Sequence, residues 1–410
     1  MKRKITILIA IFISILIITG CLNRKIDFES LSIEEKVNYH IKNMSLEEKI
    51  AQMLIVYYNS DSFDNNLKGT LESVKPGGFI LQGINITNYE DTLNYVKQIK
   101  ETSQIPMFIS IDQEGGLVQR LYNLKDIKPT YIPSMYDVGK LNDKDVAYQV
   151  GEVMAKELRT IGVNLTFAPV IDIYTNEENT VIGSRAFGTT KEVVINNAIP
   201  LANGLFDNGV IPVFKHFPGH GDTHVDSHVG LPIVNKTLNQ LKELELLPFK
   251  EAIQNNAKMI MVGHIAYPNI TGDYTPATLS NKMINEVLRK ELNFNGVVIT
   301  DALNMGALTE NYTDVEIYEK AINAGVDILL MPNGSTKAIS LIKESISNGK
   351  ITEDRINQSL RRILTLKYEQ LNDDNYLSKD YLGKQEHKDI IDKISINNKL
   401  PITDISGINN

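Results

Sequence analysis

One cysteine in 410 residues, Cys21, excludes any disulfide within the chain, so stability has to come from a packed core. A net positive charge is also lacking. A formal net charge of -8, with no Lys/Arg-rich stripe interleaved with aromatics, leaves no electrostatic footprint for nucleic acid. No repeat of fixed period and no low-complexity tract is present. What remains is 42% hydrophobic and 22% charged content, ordinary for a soluble globular enzyme.

The N-terminus departs from that background. Lys2, Arg3 and Lys4 precede an apolar run from Ile5 to Ile18, followed by Thr19, Gly20 and Cys21. A positive start, a short apolar stretch and small residues before a break describe a secretory signal peptide. The run is about 14 residues, short of the ~20 that a helix needs to span a bilayer. Ile18-Thr19-Gly20-Cys21 resembles a bacterial lipobox, in which the cysteine is lipidated and becomes the mature N-terminus. We therefore expect an exported protein held on the cell membrane by a lipid at Cys21, facing the extracytoplasmic side. Residues 1–20 would be the signal, and 21–43 a tether and lead-in helix.

Further along, short apolar runs alternate with amphipathic stretches of helical length. The strand candidates are Met53–Tyr57, Gly78–Leu81, Met107–Ile111, Asn164–Ile171, Val210–Lys215, Lys258–Gly263, Gly296–Thr300 and Asp327–Met331. They lack strict polar alternation, as strands buried on both faces do. Between them lie helical patterns such as Asp145–Ile161, Lys282–Leu292 and Leu241–Gln254, the last with a break expected at Pro248. Eight strands alternating with helices predict an α/β fold, a single (β/α)8 TIM-type barrel over 44–370, irregular at its first strands. Leu46–Leu54 has helical spacing, which makes the first strand the weakest signal. Residues 371–410 read as a peripheral tail with an amphipathic helix around Lys388–Lys399. A barrel places catalytic groups at the C-terminal ends of its strands. Asp112, Asp172, Lys215, His216, His264 and Asp301 all fall at such ends.

Residues 215–228 read KHFPGHGDTHVDSH, with four of the seven histidines at His216, His220, His224 and His228. On a helix, that spacing together with Asp222 and Asp226 would invite a zinc reading. Pro218, Gly219 and Gly221 break the helix, and Pro232 closes the region, so the segment is a loop leaving a strand. We expect no metal there and no cofactor. Asp226-Ser227-His228 puts a carboxylate two residues from an imidazole. Such a carboxylate can fix the ring's tautomer and support its protonated form, leaving the other nitrogen for proton transfer.

The same loop resembles the signature of bacterial β-N-acetylglucosaminidases of glycoside hydrolase family 3. Further blocks agree in order: MSLEEKIAQML at Met44–Leu54, IDQEGGLVQRL at Ile111–Leu121, FAPVIDI at Phe167–Ile173, IGSRAFG at Ile182–Gly188 and VVITDALNMGAL at Val297–Leu308. The resemblance implies that Asp301 is the nucleophile that forms a glycosyl-enzyme. It implies that His228 protonates the leaving oxygen and then activates water, tuned by Asp226. Asp112, Arg120, Arg185, Lys215 and His216 would bind the sugar. Leu117 stands where the motif often carries Arg, and the chain stops near 410 without the large second domain of some members.

The implied activity is a retaining exo-β-N-acetylglucosaminidase acting on muropeptides or other amino-sugar glycans, with the protein working as a monomer. Two relatives of that chemistry compete with it, a β-glucosidase and a glycoside phosphorylase. From another class comes a surface sugar-binding lipoprotein that has lost catalysis.

Overall fold

The computed structural model describes residues 27–224, 226–227, 230–371 and 375–394. The expected signal at residues 1–20, Cys21 and His228 lie outside them. Eight parallel strands form one sheet: β1 Leu54–Val56, β2 Gly78–Leu81, β3 Phe108–Ile111, β4 Leu165–Thr166, β5 Ile211–Phe217, β6 Met259–Val262, β7 Val297–Thr300 and β8 Leu329–Leu330. The order is β8-β1-β2-β3-β4-β5-β6-β7, and a parallel bridge from Ile299 to Ile328 joins the two ends. The sheet closes on itself. Leu330 N–H donates to Thr300 Oγ1 (3.0 Å), and Leu303 N–H to the Leu330 carbonyl (2.9 Å), reinforcing the short seam between β7 and β8.

Each expected strand appears, for a common reason. Every strand residue is buried, so the sequence shows a continuous apolar run. The ambiguous stretch Leu46–Leu54 resolves into two elements. Ser45 caps a helix Leu46–Ala51 reciprocally with Glu48, and the chain then enters β1.

Some boundaries differ from expectation. The run Asn164–Ile171 is a strand only at Leu165–Thr166. Pro169 has no N–H to give and interrupts the ladder, but pairing with β5 resumes beyond it: Val170 bridges Lys215, and Ile171 N–H donates to the Lys215 carbonyl at 2.7 Å. The break expected at Pro248 falls earlier, at Leu244–Glu245, between helices Leu238–Glu243 and Leu246–Gln254. Pro248 is the third residue of the second helix, where its missing N–H costs no intrahelical bond.

The barrel's lower end is sealed by the helix Glu353–Gln370. Arg355, Ser359 and Arg362 reach Asp327 just before β8. Lys367 Nζ donates to Gln52 Oε1 (2.8 Å) and lies 5.1 Å from the Phe108 ring centre at the foot of β3. The helix Ile33–Asn43 packs beneath it: His40 Nε2 is 2.6 Å from Tyr368 Oη, and Arg361 Nη1 donates to Asn38 Oδ1 at 2.7 Å. Phe28 sits against Tyr39, His40 and Tyr368. The first described residues therefore lie at the end opposite the strands' C-termini. The described part of the tail is docked. Leu382, Ile391 and Ile394 are buried, and Glu157 accepts from the Gly383 N–H (2.9 Å) and lies 3.0 Å from His387 Nδ1. Its helix is Gln385–Ile391, earlier than the expected span.

Candidate active site

The C-terminal ends of the strands surround a cavity of about 270 Å³. Its wall includes Asp112, Glu114, Arg120, Arg185, Lys215, His216, His220, Ser227 and Asp301, with Ile80, Val118, Val181, Met261, Ala302, Met305, Leu330 and Met331 as its apolar part. Six of the sequence candidates thus meet in one place: Asp112, Arg120, Arg185, Lys215, His216 and Asp301.

Two buried carboxylates organise them. Glu114 is 2% exposed and sits in a hairpin of Gln113–Gly115 against Val118–Gln119, directly after β3. Arg185 donates to it twice, from Nε (2.8 Å) and Nη2 (2.9 Å), and Lys215 Nζ lies 2.5 Å from Oε1. Burial alone would raise the Glu114 pKa, but the Arg185 and Lys215 charges and their hydrogen bonds hold it well below the usual carboxylate range. Lys215 also approaches Asp112 Oδ1 at 3.3 Å, so a fixed ammonium spans the two acids. Arg185 is accordingly clamped. Besides its fork to Glu114, it donates from Nη1 to the Val181 carbonyl (3.0 Å).

Asp172 is the second organiser. Its Oδ1 accepts from the N–H groups of His216 (3.2 Å) and His220 (2.7 Å), and its Oδ2 lies 2.7 Å from His216 Nδ1. With Nδ1 committed there, Nε2 is the His216 nitrogen left for the cavity. Burial would raise the Asp172 pKa, but the His216 and His220 contacts hold it down.

Asp301 follows β7. Its N–H donates to the Val262 carbonyl (3.0 Å), and its Oδ1 accepts from Ala302 N–H (2.8 Å), leaving the other oxygen for the cavity. Burial favours the neutral acid. His216, His264, Lys215 and the Ala302 N–H outweigh it and bring the pKa down to about 2. Asp301 is therefore an ionised, oriented carboxylate near neutral pH. His264 does not belong to the cavity wall. It is fully buried, with Nδ1 2.8 Å from Thr278 Oγ1 and Nε2 3.0 Å from the Ala302 carbonyl, and it acts on Asp301 through charge and through the loop.

The histidine segment carries no helix among its described residues, as its glycines require. Gly219 has φ +134°, and a Cβ on Gly221 would sit 1.8 Å from the Ile173 carbonyl oxygen. The four-residue histidine spacing therefore has no helical meaning, and no group that could hold a metal ion forms among the described residues. Asp226 is half-buried, and its carbonyl accepts from Gly230 N–H at 3.0 Å. Leu117 is 40% exposed and stands outside the cavity wall.

Sequence reasoning missed Glu114 and the binding partners of Asp172 and His220. The signal for Glu114 was present: it lies two residues after Asp112 in extended backbone, which puts both on one side.

The model of the glycosyl hydrolase family 3 N-terminal domain matches residues 45–366. The chain belongs to this family. With that membership it is a glycoside hydrolase, and the family blocks at 111–121, 182–188, 215–228 and 297–308 each supply residues of the cavity wall. It is 34% identical over 319 residues to beta-hexosaminidase A of Pseudoalteromonas piscicida, covering 71% of this chain but only 53% of that protein. It is also 34% identical over 272 residues to a beta-hexosaminidase of Nitrosomonas eutropha, covering 65% of this chain and 76% of the relative. A solved glycoside hydrolase family 3 beta-N-acetylglucosaminidase from Paenibacillus sp. str. FPU-7 superposes with a TM-score of 0.81 at 32% identity, over 86% of this chain and 68% of that one.

Proposed function

We propose that this family 3 hydrolase is a retaining exo-β-N-acetylglucosaminidase. The observation that carries the reading is Asp301, an ionised carboxylate with one oxygen aimed into a cavity of about 270 Å³. That volume is just below the range of drug-sized ligand sites and suits one terminal sugar ring better than an extended chain. Asp301 attacks the anomeric carbon. Asp112 accepts from adjacent ring hydroxyls, Lys215 and Arg120 donate to hydroxyls or to an amide carbonyl, and His216 contributes Nε2. His228, supported by Asp226, protonates the leaving oxygen and then draws a proton from water, so the glycosyl-enzyme is hydrolysed with retention. Asp226–His228 takes the place of the second carboxylate that most retaining glycosidases use. The beta-hexosaminidase relatives support the choice of sugar.

The decisive assay compares chromogenic β-N-acetylglucosaminide with the β-glucoside, each with and without inorganic phosphate. The N-acetylglucosaminide should be cleaved faster, with water as acceptor in both buffers. Faster glucoside cleavage, or a sugar phosphate as product, would overturn the assignment. Asp301→Asn should abolish turnover in this assay.

We further propose export and a lipid at Cys21. With the described chain beginning under the barrel, such an anchor would leave the cavity opening away from the membrane, toward the wall glycans. Fatty-acid labelling that is equal in the wild type and Cys21→Ala would remove this part of the reading.

A further inference from the structure

Ser227 has no role in the chemistry above, yet it is 2% exposed, lies on the cavity wall and is tied at two atoms. Its Oγ is 3.2 Å from His220 Nε2. Its carbonyl oxygen accepts from the Ala307 N–H at 3.1 Å. Ala307 lies in the short helix Gly306–Thr309, which leads directly out of the Asp301 loop. Position 227 is thus joined to the histidine loop on one side and to the nucleophile loop on the other.

The direction of the first bond can be worked out. The Thr223 hydroxyl has one hydrogen, which it gives to the His220 carbonyl (3.1 Å), while accepting from Asn179 Nδ2 at 3.1 Å. With that hydrogen on the carbonyl, Thr223 Oγ1 accepts from His220 Nδ1, 2.8 Å away, which assigns the ring's hydrogen to Nδ1. Burial and the neighbouring His216 lower the His220 pKa to about 4, so near neutrality the ring is uncharged and Nε2 is bare. In that assignment the Ser227 hydroxyl donates to it. His220 itself cannot drift, because its N–H is held by Asp172 at 2.7 Å and its carbonyl also accepts from Asn179 Nδ2 at 2.7 Å.

We propose that Ser227 is a positioning residue for proton transfer: the hydroxyl on His220 and the carbonyl on Ala307 fix the Asp226–Ser227 backbone, from which His228 follows in the chain, relative to the Asp301 loop. The inference rests on the role proposed for Asp226 and His228. Proton transfer demands close heavy-atom approach, and small misplacements of a reacting group are costly. Ser227 therefore acts on the step that needs the acid, and bond cleavage that needs no acid proceeds without it.

The test uses two N-acetylglucosaminides, one with a 4-methoxyphenyl leaving group that requires protonation and one with a 2,4-dinitrophenyl group that does not. Ser227→Ala should lower kcat/KM about tenfold on the first, mostly in kcat, and less than threefold on the second. Ser227→Thr and Ser227→Val have the same shape and differ in the hydroxyl. Thr should keep most of the activity on the methoxyphenyl substrate and Val should not, which isolates the hydrogen bond even if the Ala variant folds poorly. Equal losses on both substrates, or equal rates for Thr and Val, overturn the proposal. A wild-type protein that cleaves neither glycoside would defeat the hydrolase assignment itself, which is a separate result.

Discussion

Two clusters of buried charge sit at opposite ends of this barrel, and they are finished differently. At the base, Asp327 is met by Arg289 Nη2 (2.6 Å), Arg362 Nη1 (3.1 Å), Arg355 Nη2 (3.4 Å), the Ser359 hydroxyl (2.8 Å) and Val298 N–H (3.0 Å). Those groups come from β7, from the residues before it and from the closing helix, and none of them lines the cavity. At the mouth, Glu114 gathers Arg185 and Lys215, and Asp172 gathers His216 and His220. There each cluster keeps something back, an ammonium hydrogen on Lys215 and an imidazole nitrogen on His216, and Asp301 beside them keeps an oxygen. The lesson is that charge burial alone does not mark a site. Incomplete use of the buried groups does.

The sharpest way to break this comparison is to remove one acid from each end. Glu114→Gln leaves Lys215 and Arg185 facing a neutral group. It should cost on the order of 3 kcal/mol in denaturant melts, because breaking a buried pair strands its partner. It should also cost about 100-fold in kcat/KM, since both cations lose their placement. Asp327→Asn should cost a similar 3–5 kcal/mol, while kcat/KM, measured well below its melting temperature, stays at the wild-type value. Equal kinetic damage from the two would erase the distinction.

A milder change sharpens the view of the base. Burial lowers the Lys367 pKa from 10.5 to about 7. The unfolded chain then holds that proton more tightly between those values, so the penalty is full below pH 7 and fades as pH rises toward 10.5. Lys367→Met should be neutral or stabilising by about 1–2 kcal/mol at neutral pH and flatten stability over that window. Urea melts of both proteins from pH 6 to 10 would show it; a destabilised variant with an unchanged slope would contradict it. The smallest effect is expected at the rim. Leu117→Arg restores the residue more usual in the motif, but the side chain is 40% exposed and outside the cavity. Stability should move by less than about 0.5 kcal/mol, and KM by less than twofold.

The barrel was legible because its strands are buried on both faces, so runs such as Val297–Thr300 stand out with a single polar end. Asp112, Lys215, His216 and Asp301 were legible for the same reason: they are where those runs stop. Less legible were features set by chain direction and not by pattern. The apolar stretch through Ile171 looks like one strand, yet it is regular only at Leu165–Thr166, and past Pro169 only a single bridge from Val170 to Lys215 remains. Glu114 gains its importance only when the Gln113–Gln119 hairpin carries it under Arg185, from a segment 71 residues away. His264 reads like a cavity residue but spends both ring nitrogens on Thr278 and Ala302. Ser227 stands between two residues the sequence already singled out, and only the approach of Ala307 and His220 gives it work.

The central claim is that Asp301 forms a covalent bond to the sugar. A 5-fluoro N-acetylglucosaminyl fluoride, which forms its glycosyl-enzyme faster than it loses it, should inactivate the protein. Digestion and mass spectrometry should then place one sugar on the peptide that carries Asp301. A sugar on any other residue, or turnover of an ordinary substrate with inversion at the anomeric carbon, would contradict the account.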